Sequence, residues 1–172
     1  METITKCLNE WNATLEALGQ GKQTILIRKY NTSVEKFLLY PTTSYANKDD
    51  FLDSFKKEDR SFAKKNALPK EDSDKKEVKY FATVEKVIEK PSSRIGTLNK
   101  FHIWTNEHVK AYLGSSKAYV WVLRVYELEK PVMVDRTKGL LYANVSEEIR
   151  LNGKPVLNDA QFSKILTEIE KK

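Results

Sequence analysis

The chain has 172 residues, which suits one domain and is too short for two comfortable ones; a chain of this size buries roughly 70% of the surface it exposes when unfolded. The 30 Lys plus Arg against 24 Asp plus Glu give a net charge of +6, with 40% hydrophobic and 31% charged residues. That excess suits an anionic partner such as nucleic acid, and equally a plain requirement for solubility. The lone Cys7 excludes an internal disulfide, no apolar run approaches the ~18 residues that cross a bilayer, and the opening METITKCLNEWNATLEAL lacks the layout of a signal peptide. A cytoplasmic location, with no membrane partner, is expected.

In chain order, Ile4, Leu8, Trp11, Leu15 and Leu18 recur at alternating steps of four and three, which predicts one helix stopped by Gly19 and Gly21. TILIRKY (24–30) reads as a strand, and Asn31-Thr32-Ser33 as the turn of a hairpin that returns through KFLLYP (36–41). From about 44 to 76 the chain is dense in charge, and Phe51, Phe55 and Phe62 predict a thinly amphipathic helix followed by a loop over 69–76. EVKYFATVEKVIE (77–89) is a long strand or one with a bulge.

Beyond Pro91, Thr105 is a good N-cap for a helix with Val109, Tyr112 and Leu113 on its apolar face and Gly114 just past its end. AYVWVLRVYELEKP (118–131) is the strongest strand, apolar on both faces except at Arg124 and therefore central; PVMVD adds a further short strand. After a turn at Asn152-Gly153, Asn158 and Gln161 form a capping-box pair ahead of a helix with Phe162, Ile165, Leu166 and Ile169 buried. The expected fold class is α+β: a small mixed β-barrel or sheet with flanking helices, a single domain over 1–172 with a charged insertion at about 44–76.

Catalytic patterns are sparse. His102 and His108 do not share a helical face, so no zinc site is expected, and no cofactor is implied. There is no nucleophile elbow, and GQGK (19–22) follows a helix and precedes a strand, the reverse of a phosphate loop. Glu77 and Lys79, two apart at the start of a strand with Asp72 and Asp74 upstream, match the layout of a Mg²⁺-dependent nuclease. In a chain this rich in Lys and Glu the pairing also arises by chance. A denser set is aromatic and basic: His102, Trp104, Tyr119, Trp121, Arg124 and Tyr126 follow one another closely, facing an earlier strand that ends Tyr40-Pro41-Thr42-Thr43. Rings of this kind stack on unpaired bases, and they equally serve as core residues of a strong strand.

The segments LNEWNATLEALGQGKQTILIRKY, FLLYPTTSY, FHIWTNEHVKAYL and YVWVLRVYELEKPV resemble family 1802 of the domains of unknown function. The resemblance rests on Glu10-Trp11, Gly21, Arg28-Lys29, Phe37 to Thr42, His102 to Thr105 and Leu123 to Tyr126, in that order over nearly the whole chain. It departs from the family in the charged insertion and at 142–147, where a Gly-Cys-x-Ser-Trp-like segment is expected. The resemblance implies association with Mrr-type restriction systems, and hence a nuclease partner protein; the layout also looks like the PUA-like barrels.

The functional expectation is a non-catalytic nucleic-acid recognition domain that binds DNA or RNA and reads a modified or flipped base in a restriction or defence context. Arg28 and Lys29 are expected to contact phosphate. Tyr40, Thr42, Thr43, His102 and Trp104 are expected to line the base pocket, and Arg124 to bond a base edge or a phosphate. The alternative for Arg124 is a buried ion pair with Glu10 or Glu16. Two other functional readings stand beside this one: the nuclease built on Glu77 and Lys79, and a protein–protein adaptor docking through the Phe51–Phe62 stripe.

Overall fold

The computed structural model describes residues 2–43, 50–69, 74–139 and 141–172. Its frame is a seven-stranded mixed sheet in the order β2-β5-β4-β3-β1-β6, with β7 paired to β5 off that path. The strands are β1 (Thr3–Trp11), β2 (Ile25–Arg28), β3 (Lys36–Thr42), β4 (Lys76–Lys90), β5 (Ala118–Val134), β6 (Tyr142–Arg150) and β7 (Gly153–Pro155). β1 and β3 run parallel and the other pairings are antiparallel. Four α-helices lie among the described residues: α1 (Asn12–Gly19), α2 (Arg60–Lys65), α3 (Asn106–Leu113) and α4 (Asp159–Glu170). The α+β expectation holds, as an open sheet rather than a closed barrel.

Three local expectations are corrected. The opening segment is not one helix: residues 3–11 form β1, and only from Asn12 does the chain coil into α1. Cys7 and Leu8 are both fully buried because β1 is covered on both faces, and a register shift between Ile4 and Lys6 breaks its alternation. The 24–41 hairpin is absent; β2 pairs with β5, while β3 lies between β1 and β4. The charged insertion does not carry one amphipathic helix. Phe51 begins a 3₁₀ turn (Phe51–Ser54), and Phe51 and Phe55 are buried ring edge to face, 5.3 Å apart. The stripe expected to dock a partner therefore lies largely inside the core.

Other elements form as their sequences dictate. Thr105 Oγ1 accepts the His108 N–H at 3.0 Å and starts α3; Gly114, at φ +58°, ends it where a side chain would be strained. Asn158 and Gln161 close the reciprocal capping box of α4. β4 carries the anticipated bulge. β5 runs on through Pro131, which sits where pairing to β4 jumps from Glu127 to Val132 and no ladder N–H is needed. No helix among the described residues is long and apolar enough to cross a membrane.

The main core gathers Leu15, Leu18, Leu26, Phe37, Phe55, Trp104 and Trp121; a second cluster on the other side holds Cys7, Leu38, Val78, Phe81 and Val145. Burial pushes the Cys7 thiol up to about 11, which makes it a packing residue rather than a nucleophile. α1 is buried along its whole length, so its Glu16 needs partners inside the protein. It has them: the Lys79 ammonium, the Tyr80 hydroxyl at 3.1 Å and the Gln20 amide at 3.1 Å.

Gly19 closes α1 against the face of Tyr80, and a Cβ there would fall 2.2 Å from the ring. Gly19→Ala must displace Tyr80 and its bond to Glu16, and should cost about 1–3 kcal/mol. Urea denaturation checks this; an unchanged midpoint would mean that the ring does not occupy that space.

Candidate nucleic-acid interface

Where the parallel strands β1 and β3 end side by side, with Glu10 opposite Pro41 and Trp11 opposite Thr42, the sheet opens into a cleft of about 920 Å³. This is within the range of ligand sites, about 300–1,000 Å³. Its walls come from distant parts of the chain. β1 contributes Asn9, Glu10 and Trp11; β2 and its continuation contribute Arg28 and Tyr30; β3 contributes Tyr40 to Thr42, with Thr43 beyond it. Trp104, His108 and Tyr112 enter from α3 and the loop before it, and Lys76 and Arg136 from the far side.

The Trp104 loop is held by main-chain and amide bonds. Gln23 Oε1 accepts the Ile103 N–H at 3.2 Å, Ser54 O accepts the Thr105 N–H at 2.9 Å, and Trp104 bridges to Phe55. The far wall is tied on by Asn9, whose side-chain amide donates to Gly139 O at 2.9 Å. His108 lies between the two indoles, 5.7 Å from Trp11 and 6.3 Å from Trp104 between ring centroids. Burial lowers its pKa, which favours a neutral imidazole in this aromatic wall.

At the floor the Arg28 guanidinium is paired with the Glu10 carboxylate, and Glu10 also accepts the Trp11 N–H at 3.0 Å. Burial works against the charge on Arg28, but Glu10, with Tyr30 and Tyr112, more than offsets it and raises the pKa. Arg136 lies 5.0 Å over the Tyr40 ring. Three polar atoms of lining residues are buried with no hydrogen-bond partner among the described residues: Asn9 Oδ1, Trp104 Nε1 and Arg136 Nε. Such atoms cost about 1–3 kcal/mol each unless something meets them.

Of the residues singled out in the sequence, Arg28, Tyr40, Thr42, Thr43 and Trp104 line this cleft. Arg28 does so as the partner of Glu10 rather than as a free phosphate contact, and the Tyr40 hydroxyl donates to Val134 O at 3.1 Å. Lys29 is exposed, its ammonium 5.0 Å over the Tyr112 ring. His102 is buried behind the wall, where its Nδ1 accepts the Trp104 N–H at 3.1 Å; it supports the tryptophan and does not line the cleft. Arg124 is elsewhere: it bonds Leu157 O at 3.0 Å and Asp159 at 2.8 Å, and packs over Phe162. It fastens α4 to β5, and neither Glu10 nor Glu16 is its partner.

Glu10, Trp11, Tyr30, Lys76, His108, Tyr112 and Arg136 line the cleft without a site role foreseen from the sequence. Glu10-Trp11 stands out there only as a shared motif, and nothing local marks Lys76 or Arg136. As for the Glu77/Lys79 pattern, Lys79 is engaged by Glu16. Among the described residues no three His, Cys, Asp or Glu gather as metal ligands, and Asp72 lies outside them.

The fold is similar to that of ASCH domains, which are PUA-like. A serine-to-alanine variant of the ASCH protein of Zymomonas mobilis superposes with a TM-score of 0.52 over 94% of both chains at 12% identity. The unsubstituted protein gives 0.46 over 94% of this chain and 93% of its own, also at 12% identity. Within that fold the chain belongs to the domain-of-unknown-function family DUF1802, whose model matches residues 7–168. No curated protein matches the chain.

The buried His102 gives the site a pH signature. Desolvation, with the nearby Lys56 and His108, lowers its pKa to about 3, whereas the unfolded chain takes up that proton near the ordinary value of about 6.5. Below that value the unfolded state holds more protons than the folded one, so stability falls as the pH drops. His102 alone should remove about 2 kcal/mol by about pH 5, and His108 acts in the same direction. His102→Asn keeps an acceptor for the Trp104 N–H and should flatten the loss between about pH 7 and about pH 5. Equal pH dependence of the urea midpoint in both proteins would show that His102 is not held neutral.

Proposed function

We propose that this cleft is a nucleic-acid recognition site that receives an unpaired or extruded nucleotide. The observation that carries the reading is the convergence of aromatic rings and cations on one opening: Trp11, Tyr30, Trp104 and Tyr112 with Lys76, Arg136 and, at the rim, Lys29. Rings provide stacking platforms worth about 1–3 kcal/mol per base, and the cations answer phosphate. The net charge of +6 points the same way. The ASCH-like, PUA-like architecture fits a nucleic-acid-binding domain at this coarse level, although fold alone does not fix function.

The reading extends to a modified or flipped base, because a cleft walled by aromatic rings selects by shape what can enter. It extends also to a restriction or defence context with a nuclease partner, on the strength of the family resemblance alone. In this reading the chain supplies recognition and the partner supplies cleavage.

The informative substitutions lie at the rim. Trp104 is 5% exposed and belongs to the core, so Trp104→Ala should cost about 3–5 kcal/mol of stability and would confound any binding assay. Tyr30 is 39% exposed. Tyr30→Ala should keep the fold and weaken binding of short single strands by about 1–3 kcal/mol. Arg136→Ala should lower the salt slope of binding by about 0.7, the share of one phosphate contact on a single strand. Fluorescence anisotropy on DNA and RNA, single- and double-stranded, with and without modified bases, over a salt series reads both binding effects, and a urea titration reads the cost at Trp104. Failure to bind any strand at low salt would overturn the proposal.

A further inference from the structure

We infer that the Glu10–Arg28 couple at the cleft floor reads the Watson–Crick edge of guanine, so that the unpaired nucleotide the site takes is a guanine nucleotide. The inference rests on the nucleic-acid reading above and narrows it to one base.

The two side chains have bonding capacity left to offer. A carboxylate has about four lone-pair positions and a guanidinium five N–H donors. Glu10 uses one oxygen for the Trp11 N–H and the other for Arg28. Arg28 spends one further N–H on Ile27 O at 3.2 Å. Acceptor capacity on Glu10 and donor capacity on Arg28 therefore remain side by side, and both residues face the same cleft. Neither can swing freely: Glu10 is 6% exposed, the Arg28 side chain 13%, and the guanidinium lies 5.9 Å over the Trp121 ring. The pair forms a fixed edge with a negative acceptor beside a positive donor.

Only one of the common bases complements such an edge. Guanine presents two adjacent donors, N1–H and N2–H₂, to a carboxylate, and next to them the O6 acceptor to a guanidinium. Adenine and cytosine each place a ring-nitrogen lone pair beside their amine, which an anionic carboxylate repels. Uracil and thymine have a single N–H flanked by two carbonyl oxygens, so the second carboxylate oxygen meets a like dipole. Because the Glu10 and Arg28 side chains are themselves largely buried, an unmet donor or an opposed lone pair against them is penalised more heavily than in solvent. Trp11, half-buried in the same wall, is the ring available to cover the purine face.

The test uses the full chain and short oligouridylate strands with one central guanine, inosine, 1-methylguanine, adenine or cytosine, in ribose and deoxyribose series. Guanine should bind about tenfold or more tightly than adenine or cytosine. Inosine, which lacks only the N2 amine, should bind about tenfold more weakly than guanine, the loss expected for one hydrogen bond to a charged acceptor. 1-Methylguanine, which lacks the N1 donor and adds bulk, should fall to the level of adenine. The ribose and deoxyribose series separate RNA from DNA as the source of the base.

Glu10→Gln should erase the preference for guanine over inosine, with a thermal melt and the residual binding of unsubstituted oligouridylate showing that the fold persists. The ligand series on the unaltered protein decides the assignment even if that variant fails to fold. Measurable but equal binding of guanine and inosine overturns the guanine assignment and leaves the recognition site standing. No binding of any strand at low salt overturns the recognition site, and the assignment with it.

Discussion

The ion pair between Glu10 and Arg28 is the constraint around which this structure is arranged. Glu10 lies at the end of β1 and Arg28 ends β2, and β3, β4 and β5 lie between those strands in the sheet. A flat sheet would hold their ends far apart. Contact between them requires the sheet to curl until its path nearly returns on itself, which the bulges in β4 and the right-handed twist of strands make possible. The cost of burying two charges is met by the pairing, the Trp11 N–H and the Ile27 carbonyl. Breaking the pair would leave a buried charge without its counterion, so the curl and the cleft floor depend on the same contact.

A second buried pair extends the same logic inward. α1 follows β1 without a connecting loop and is enclosed along its length. Its acidic residue, Glu16, meets Lys79 and Tyr80 of β4, fixing the helix against the sheet. Both acidic residues of the 10–16 stretch thus have a basic partner inside the protein. The surplus of positive charge is left for the exposed residues, among them Lys29 over the Tyr112 ring.

How much of this is legible in the sequence follows from the range over which each signal acts. Caps depend on neighbours within one turn of helix, and the Thr105 and Asn158–Gln161 caps form as their sequences predict. The central, doubly covered β5 follows from apolar residues on both faces, and that too holds. The opening segment misleads because a strand covered on both sides, kinked at Ile4/Lys6 and followed by a wholly buried helix, yields apolar spacings that mimic one amphipathic helix. No hairpin forms at 24–41 because proximity in sequence does not ensure pairing, and β2 finds its partner about a hundred residues away in β5. The cleft is half legible for the same reason. Tyr40, Thr42 and Trp104 carry local motifs, but Lys76 and Arg136 reach the site only through the return of β4 and the segment after β5, which no window on the chain reveals.

The same topology explains why core and site share residues. The cleft is not carved into a finished core; it lies where the parallel pair β1 and β3 runs out, and no further strand among the described residues covers the gap. Trp104 therefore belongs both to the hydrophobic cluster and to the cleft wall, braced by His102 from behind. A wall built from core residues is rigid, so its rings and polar atoms stand in place before any ligand arrives, and little ordering entropy remains to be lost on binding. The unpartnered Trp104 indole N–H is the counterpart of that rigidity. The packing that fixes the ring also buries its N–H without an acceptor among the described residues, so part of the stability gained by burying the ring is given up to hold the wall in place.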